Sequence, residues 1–337
     1  MKEIIIRMPN WIGDLVMATP LLTDLRAHFP SSRITAMCKS GLAPLLQSDR
    51  DVDELFAFTK PSGWLPRAEQ RDLIRRLQEG GYETGVLTTG SLSSAWAFWR
   101  GGVKRRIGFR GELRSPLLTD PVTFPEQEQH LVESYKSLLA PLGIAPSRSA
   151  PRLHLLDSEI DEMRQTLLSQ GNKEGQRLIG INPGAAYGTA KCWLPERFSK
   201  VTQMLVEDPR NTVVFIGDLA LGPLVKKICF GLPTKQVINM CGATSLRQLL
   251  ALIHLFDVLL TNDSGPMHIA SALGVPLVAI FGSTCDVRTG PYSGGRVIHK
   301  HVECSPCYKR VCPIDFRCMT RIGVDEVHQA IVEALDG

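Results

Sequence analysis

A carboxylate, a lysine, a histidine and a knot of thiols stand out in this sequence, the first three in or just after loops that follow apolar runs. Asp14 lies in MPNWIGDLVMATPLL (residues 8–22), directly behind Ile4-Ile5-Ile6, after Gly13 and at the predicted start of a helix. A carboxylate there either caps the helix or takes a proton from a bound hydroxyl, and the local sequence leaves both open. In TNDSGPMHIASALGVPLVAIFGST (261–284) an apolar run enters Asn262-Asp263-Ser264-Gly265, and a helix follows. Gly265 permits close backbone approach, Ser264 offers a hydroxyl, and the unpaired N–H groups of a helix start favour a phosphate or pyrophosphate. His268 falls in the first turns of that helix. The competing reading is a helix capped by Asp263 or Ser264 with His268 packed in the core.

Three further loops carry candidates. INPGAAYGTAKCWLPERF (181–198) presents Gly184, Gly188, Thr189 and then Lys191, a mobile point charge suited to phosphate. The spacing is not that of a P-loop, and a solvated lysine is the alternative. In FIGDLALG (215–222), Asp218 either reaches a ribose hydroxyl or caps a helix. FWRGGVKRRIGFRGELR (98–114) sets Arg100, Lys104, Arg105, Arg106, Arg110 and Arg114 against the single acid Glu112. Arginine forks suit phosphates and carboxylates, so the stretch could grip an anionic substrate; a solvated loop is the plainer reading. No nucleic-acid motif accompanies it. Near the C-terminus, Cys304, Cys307, Cys312 and Cys318 follow a CxxC-x4-C-x5-C pattern. Four thiolates could hold a structural zinc, although the second pair is wider apart than in a zinc ribbon. Reduced thiols in a compact lobe compete with that reading.

The elements that must position these loops alternate. Strands are predicted at Ile4–Arg7, Arg33–Cys38, Glu54–Phe58, Thr84–Thr88 and Val103–Gly108, with helices at Leu15–His28, 67–79 and 91–100. The pattern restarts with strands at 178–182, 212–217, 257–260 and 276–282, and helices near 195–207, 219–230, 245–254 and 265–273. Such alternation implies parallel sheets covered by helices on both faces. GIAPSRSAPRLHLLD (143–157) lacks periodicity and is the linker candidate. Two doubly wound α/β domains facing each other across a cleft are expected, with ligands beyond the carboxyl ends of the strands.

The 337-residue length agrees with two domains. A net charge of +4 is too mild to argue for a nucleic-acid partner. No apolar run is long enough to span a bilayer and the N-terminus does not read as a signal peptide, so a cytoplasmic protein is expected. Nine cysteines are too few for a disulfide scaffold in a chain of this length.

Taken together, PNWIGDLVMATPLL, KRRIGFRGELR, NPGAAYGTAKCWLPERF, TNDSGPMHIASALGVPLVAIFGST and the cysteine-bearing tail resemble the bacterial ADP-heptose:lipopolysaccharide heptosyltransferases, glycosyltransferase family 9, and most closely the type II members. The resemblance implies a GT-B fold: an acceptor-binding Rossmann-like domain over 1–150, a nucleotide-sugar-binding one over 158–323, and a final helix (324–337) packing back toward the first. It implies Asp14 as general base on an acceptor loop with Asn10 and Gly13. Lys104, Arg105, Arg106 and Arg110 would meet an anionic lipid A–Kdo–heptose acceptor. ADP-heptose would be held by Lys191, Asp263, Ser264, Gly265 and His268, with Gly184 and Asp218 on the donor side.

The implied reaction is inverting transfer of heptose to heptose I of the lipopolysaccharide inner core. No cofactor is expected, since no DxD-like pair occupies a suitable loop. A monomer attached peripherally to the cytoplasmic face of the inner membrane, with no nucleic-acid partner, completes the expectation. Alternatives are a type I or III heptosyltransferase using another core acceptor, a GT-B sugar-nucleotide epimerase needing no lipid acceptor, and a nucleotide-binding regulatory module for which Asp14 would be dispensable.

Overall fold

The computed structural model describes residues 2–59, 68–111, 113–126, 128–233 and 235–336. Of the predicted segments, Arg67, Glu112 and Gly337 lie outside the described residues. The chain divides into two compact units, Met1–His154 and Leu155–Gly337. Among the described residues no helix is long and apolar enough to cross a membrane.

In the first unit the order is β1 (Glu3–Arg7), α1 (Ile12–Ala18), α2 (Pro20–His28), β2 (Arg33–Lys39), β3 (Glu54–Phe58), α3 (Ala68–Glu79), β4 (Thr84–Leu87), α4 (Leu92–Arg100), β5 (Arg105–Phe109), β6 (Asp120–Val122) and α5 (Leu131–Lys136). The strands lie in the order β3-β2-β1-β4-β5-β6, all parallel. The second unit comprises α6 (Asp157–Ser169), β7 (Arg177–Asn182), α7 (Pro195–Leu205), β8 (Asn211–Phe215), α8 (Gly222–Ile228), β9 (Val237–Asn239) and α9 (Leu246–His254). It continues with β10 (Val258–Asn262), α10 (Gly265–Leu273), β11 (Leu277–Phe281), α11 (Asp286–Thr289), β12 (Arg296–His299), α12 (Arg317–Thr320) and α13 (Val324–Asp336). Its order, β12-β11-β10-β7-β8-β9, repeats the same winding. The winding direction reverses between β1 and β4 in one unit and between β7 and β10 in the other. Those are the crevices where a doubly wound sheet binds ligands.

The sequence pattern finds the central strands and misses β6, β9 and β12. All three are sheet edges, and their residues are only partly buried, so they lack the continuous apolar run of a strand covered on both faces. The helix expected over Leu15–His28 is two helices, because Pro20 cannot donate an N–H to continue α1. Thr19 instead closes α1, its hydroxyl donating to the Val16 carbonyl at 2.8 Å. In the last helix, Val327, Ala330 and Ile331 of α13 are wholly buried in the second unit's own core, with Val201, Leu260 and Ile280. That apolar stripe is what anchors α13 to the second unit.

Candidate active site

In the second unit, the loops after β7 and β10 meet at the winding reversal. Lys191 Nζ lies 2.5 Å from Asp263 Oδ2, and Thr284 Oγ1, from the loop after β11, donates to the same oxygen at 2.6 Å. Asp263 is buried and Lys191 only slightly exposed, so this is a largely desolvated ion pair. Asn182 ends β7 and Asn262 ends β10, and each ties two loops together. Asn182 Nδ2 reaches Ser264 Oγ at 2.8 Å and Thr261 Oγ1 at 3.2 Å. Asn262 Oδ1 accepts from the Trp193 backbone N–H at 2.9 Å.

The capping alternative fails for Ser264. It occupies the N-cap position of α10 with extended backbone but makes no side-chain hydrogen bond to the helix; its hydroxyl is held by Asn182 and Thr261. The start of α10 is therefore left without a side-chain cap, as an anion site requires. His268 is buried one turn into the helix, and Gly265 opens it. Gly184 is buried, and a Cβ there would strike the Leu221 side chain at 2.3 Å; at Gly188 it would meet the Arg310 carbonyl oxygen at 2.3 Å. Close backbone packing thus fixes the loop that delivers Lys191, whose ammonium also sits 5.0 Å from the Tyr187 ring centre. Asp218 has the capping role that was its alternative: it accepts from the Leu221 N–H at 3.1 Å.

In the first unit, Asp14 is the third residue of α1, inside its first turn and partly buried. Trp11 is the N-cap and supplies no side-chain bond, so Asp14 is not the capping residue. An acidic side chain there is favoured by the helix dipole. Arg7, at the end of β1, is buried against the Phe58 ring, and its guanidinium donates to Asn10 Oδ1 at 2.6 Å. Burial pulls the Arg7 pKa down to about 10. This strut beneath the Asp14 loop was hidden in the sequence, where Arg7 looked like the ordinary end of a strand.

The basic stretch does not form one patch. Arg105 and Arg106 begin β5, in register with Thr84 and Gly85 at the start of β4, which pair with Ile4 and Ile5 of β1. Lys104, Arg105 and Arg106 thus lie at the amino edge of the sheet, whereas the Asp14 loop leaves its carboxyl edge. Arg105 is bound to both Asp120 carboxylate oxygens, which raises its own pKa and lowers that of Asp120. Arg106 donates to the Leu117 carbonyl at 2.7 Å and the Val103 carbonyl at 2.6 Å. Parallel register therefore removes these three from the Asp14 loop. Arg110 follows β5, is exposed, and lies at the carboxyl edge. Arg114, nearby in sequence, is buried and donates to the Thr89 carbonyl, while its Nε and Nη2 make no hydrogen bond.

Two groups of side chains have metal-binding character. Ligand atoms of Asp286, His299 and His301 lie within 4.8 Å of one another. Cys304, Cys307, Cys312 and Cys318 line a single cavity.

Residues 70–316 match the model of glycosyltransferase family 9 (heptosyltransferase). The chain is 31% identical over 313 residues to lipooligosaccharide heptosyltransferase 2 of Haemophilus ducreyi, covering 89% of each chain. It is 30% identical over 303 residues to lipopolysaccharide heptosyltransferase 2 of Escherichia coli, covering 86% of each. The solved structure of E. coli ADP-heptose lps heptosyltransferase II superposes with a TM-score of 0.84 at 26% identity, covering 99% of this chain and 98% of that one. The matches lend no support to an epimerase or a regulatory module. With two parallel six-stranded sheets and these neighbours, the fold is GT-B. This chain is a glycosyltransferase and belongs to family 9, the heptosyltransferases.

Proposed function

We propose that the protein transfers heptose from ADP-heptose to heptose I of the lipopolysaccharide inner core, with inversion at the anomeric carbon. The observation that carries the acceptor assignment is the likeness, over 86–89% of each chain, to relatives named as type 2 lipopolysaccharide or lipooligosaccharide heptosyltransferases. On the donor side, the uncapped start of α10 and the Lys191–Asp263–Thr284 cluster support a diphosphate site. As the bond to the leaving group breaks, negative charge grows on the ADP oxygens. Preorganised N–H groups and the Lys191 ammonium would meet it without reorganisation, with His268 alongside.

Asp14 acts as the base that takes the acceptor hydroxyl proton, a contribution of typically ~10²–10⁴-fold. Gly13 lets the acceptor approach the backbone, and Asn10, oriented by Arg7, sits on the same loop. Arg110 offers a cation to the phosphates or Kdo carboxylates of the lipid A–Kdo–heptose acceptor. In this reading transfer needs no cofactor, and the monomeric enzyme works in the cytoplasm, at the inner face of the membrane that carries its acceptor.

The test is transfer from ADP-heptose to purified cores truncated at Kdo or after the first heptose. Product on the heptose-bearing core alone is expected. Product on the Kdo-terminated core would reassign the enzyme to type I, and isomerised sugar in the absence of acceptor would restore the epimerase reading.

A further inference from the structure

The transfer chemistry leaves the four C-terminal cysteines unused, yet the fold gathers them. Cys304, Cys307, Cys312 and Cys318 come from one segment and ring one cavity of about 60 Å³, and none forms a disulfide. The hydroxyl of Ser283, buried and without a hydrogen-bond partner, lines the same cavity. Residues 300–316 contain no helix or strand. Burial anchors them only at the two ends, through Val302 and Phe316, while Tyr308, Val311 and Ile314 between are exposed. Even so, the segment holds His301, Tyr308 and Phe316 in left-handed backbone conformations (φ 42°, 54° and 58°), the only non-glycine residues so found among the described residues. A loop with this little core and this much backbone strain needs another source of order. Tyr308, one of the three, directly follows Cys307.

We propose that Cys304, Cys307, Cys312 and Cys318 bind one thiophilic divalent cation, zinc or iron, as a closed structural site. Each thiol releases its proton to solvent on binding, and four sulfur ligands leave no position open for catalysis. A dication with four thiolates carries a net charge of −2; Lys309 lines the same cavity and offers a cation, while Arg317, also in the lining, is paired with Asp315 and Glu303. The described residues that already hold three ligand atoms within 4.8 Å of one another are Asp286, His299 and His301. The thiols must therefore close onto their ion, to ~2.3 Å each. The Asp286 group is already internally satisfied: His299 Nδ1 faces Asp286 Oδ1 at 3.0 Å and His299 Nε2 faces Ser305 Oγ at 2.9 Å.

The metal lobe braces the donor loops. The Tyr308 N–H donates to the Ser283 carbonyl at 2.7 Å, and the Ala190 N–H donates to the Arg310 carbonyl at 3.0 Å. The Tyr187 hydroxyl donates to the Tyr308 carbonyl at 2.6 Å. Ordering 304–318 therefore orders the loop that carries Lys191 and the loop that carries Thr284. This last step rests on the donor-site reading; the metal site itself does not.

The test is elemental analysis of the untagged full chain purified without chelator, with thiol-reagent titration of the same sample. About one equivalent of zinc or iron per chain is expected, with the cluster thiols protected until a chelator is added. The C304S/C307S variant should lose the metal, and C229S, altered outside the cluster, should keep it. A chain that is metal-free and takes up neither Zn²⁺ nor Co²⁺ overturns the proposal. So does metal that survives C304S/C307S and is lost in H299A. If C304S/C307S does not fold, metal content and thiol protection in the unmodified chain decide. Stripping the metal should weaken ADP binding severalfold. A loaded protein that does not bind ADP would refute the donor reading and leave the metal site standing.

Discussion

Replacing Lys191 by methionine tests the donor loop most directly. The ammonium lies 2.5 Å from Asp263 Oδ2, with side-chain exposures of 14% and 5% for the lysine and the aspartate. Methionine keeps an apolar stem of similar length and removes the charge, so a nearly buried carboxylate loses its counter-ion and keeps the bond from Thr284. Breaking a buried pair by deleting one partner costs roughly 3–5 kcal/mol. The Thr284 bond and the lysine's residual exposure reduce this to about 2–3 kcal/mol. Adding Asp263→Asn removes the orphaned charge, so the double variant should recover to within about 1 kcal/mol of the parent. ADP affinity should not recover. One lysine–phosphate hydrogen bond of about 1.5–3 kcal/mol corresponds to roughly 10- to 150-fold weaker binding in both variants. Urea unfolding and calorimetric titration with ADP measure the two effects separately. A double variant no more stable than Lys191→Met would refute the orphaned-charge argument, and unchanged ADP affinity would remove Lys191 from the diphosphate site.

Three further perturbations separate catalysis from structure. Asp14→Asn should lower turnover by about 100-fold or more. It should cost no more than about 1 kcal/mol of stability, the dipole contribution of a first-turn acid, and leave ADP binding intact; turnover near the parent rate would exclude the base. Arg110→Glu should raise the acceptor KM, whereas Arg105→Ala, which breaks the pair with Asp120, should leave it unchanged and lower stability by about 0.5–1 kcal/mol. A rise in acceptor KM for Arg105→Ala would reinstate the undivided basic patch. Glu159→Gln should cost about 1–2 kcal/mol at neutral pH, because Glu159 takes two bonds from the largely buried Arg247. Hydrogen bonding from Arg247 holds the Glu159 carboxyl below its ordinary range. The stabilisation is therefore complete above the unfolded-state value of about 4.3 and is lost as pH falls through the lower folded value. The Tm difference between parent and Glu159→Gln should close in acid, and a gap that persists there would contradict the assignment.

The candidate loops were legible because each begins where an apolar strand stops, and a polar or glycine-rich break after a buried run is a local signal. Asn182, Thr261 and Thr284, which hold the donor loops together, carry no such signal. Their partners lie 82 residues away in one case and 21 in another, and only the adjacency of β7, β10 and β11 makes them neighbours. Arg7 was invisible for the same reason: its burial against Phe58 depends on β1, β2 and β3 lying side by side.

The basic stretch shows the opposite failure, a strong local pattern divided by tertiary geometry. Consecutive arginines look like one surface when written in a line. A parallel strand carries its two ends to opposite edges of the sheet, about 3.3 Å per residue, so Arg105 and Arg110 cannot serve the same loop. By itself the sequence determined the alternation of strands and helices, the family motifs and the residue types available for chemistry, because these depend on local periodicity and spacing. The tertiary structure alone decided which residues meet, since the strand order brings the β7 and β10 loops together at the winding reversal and separates the two ends of β5.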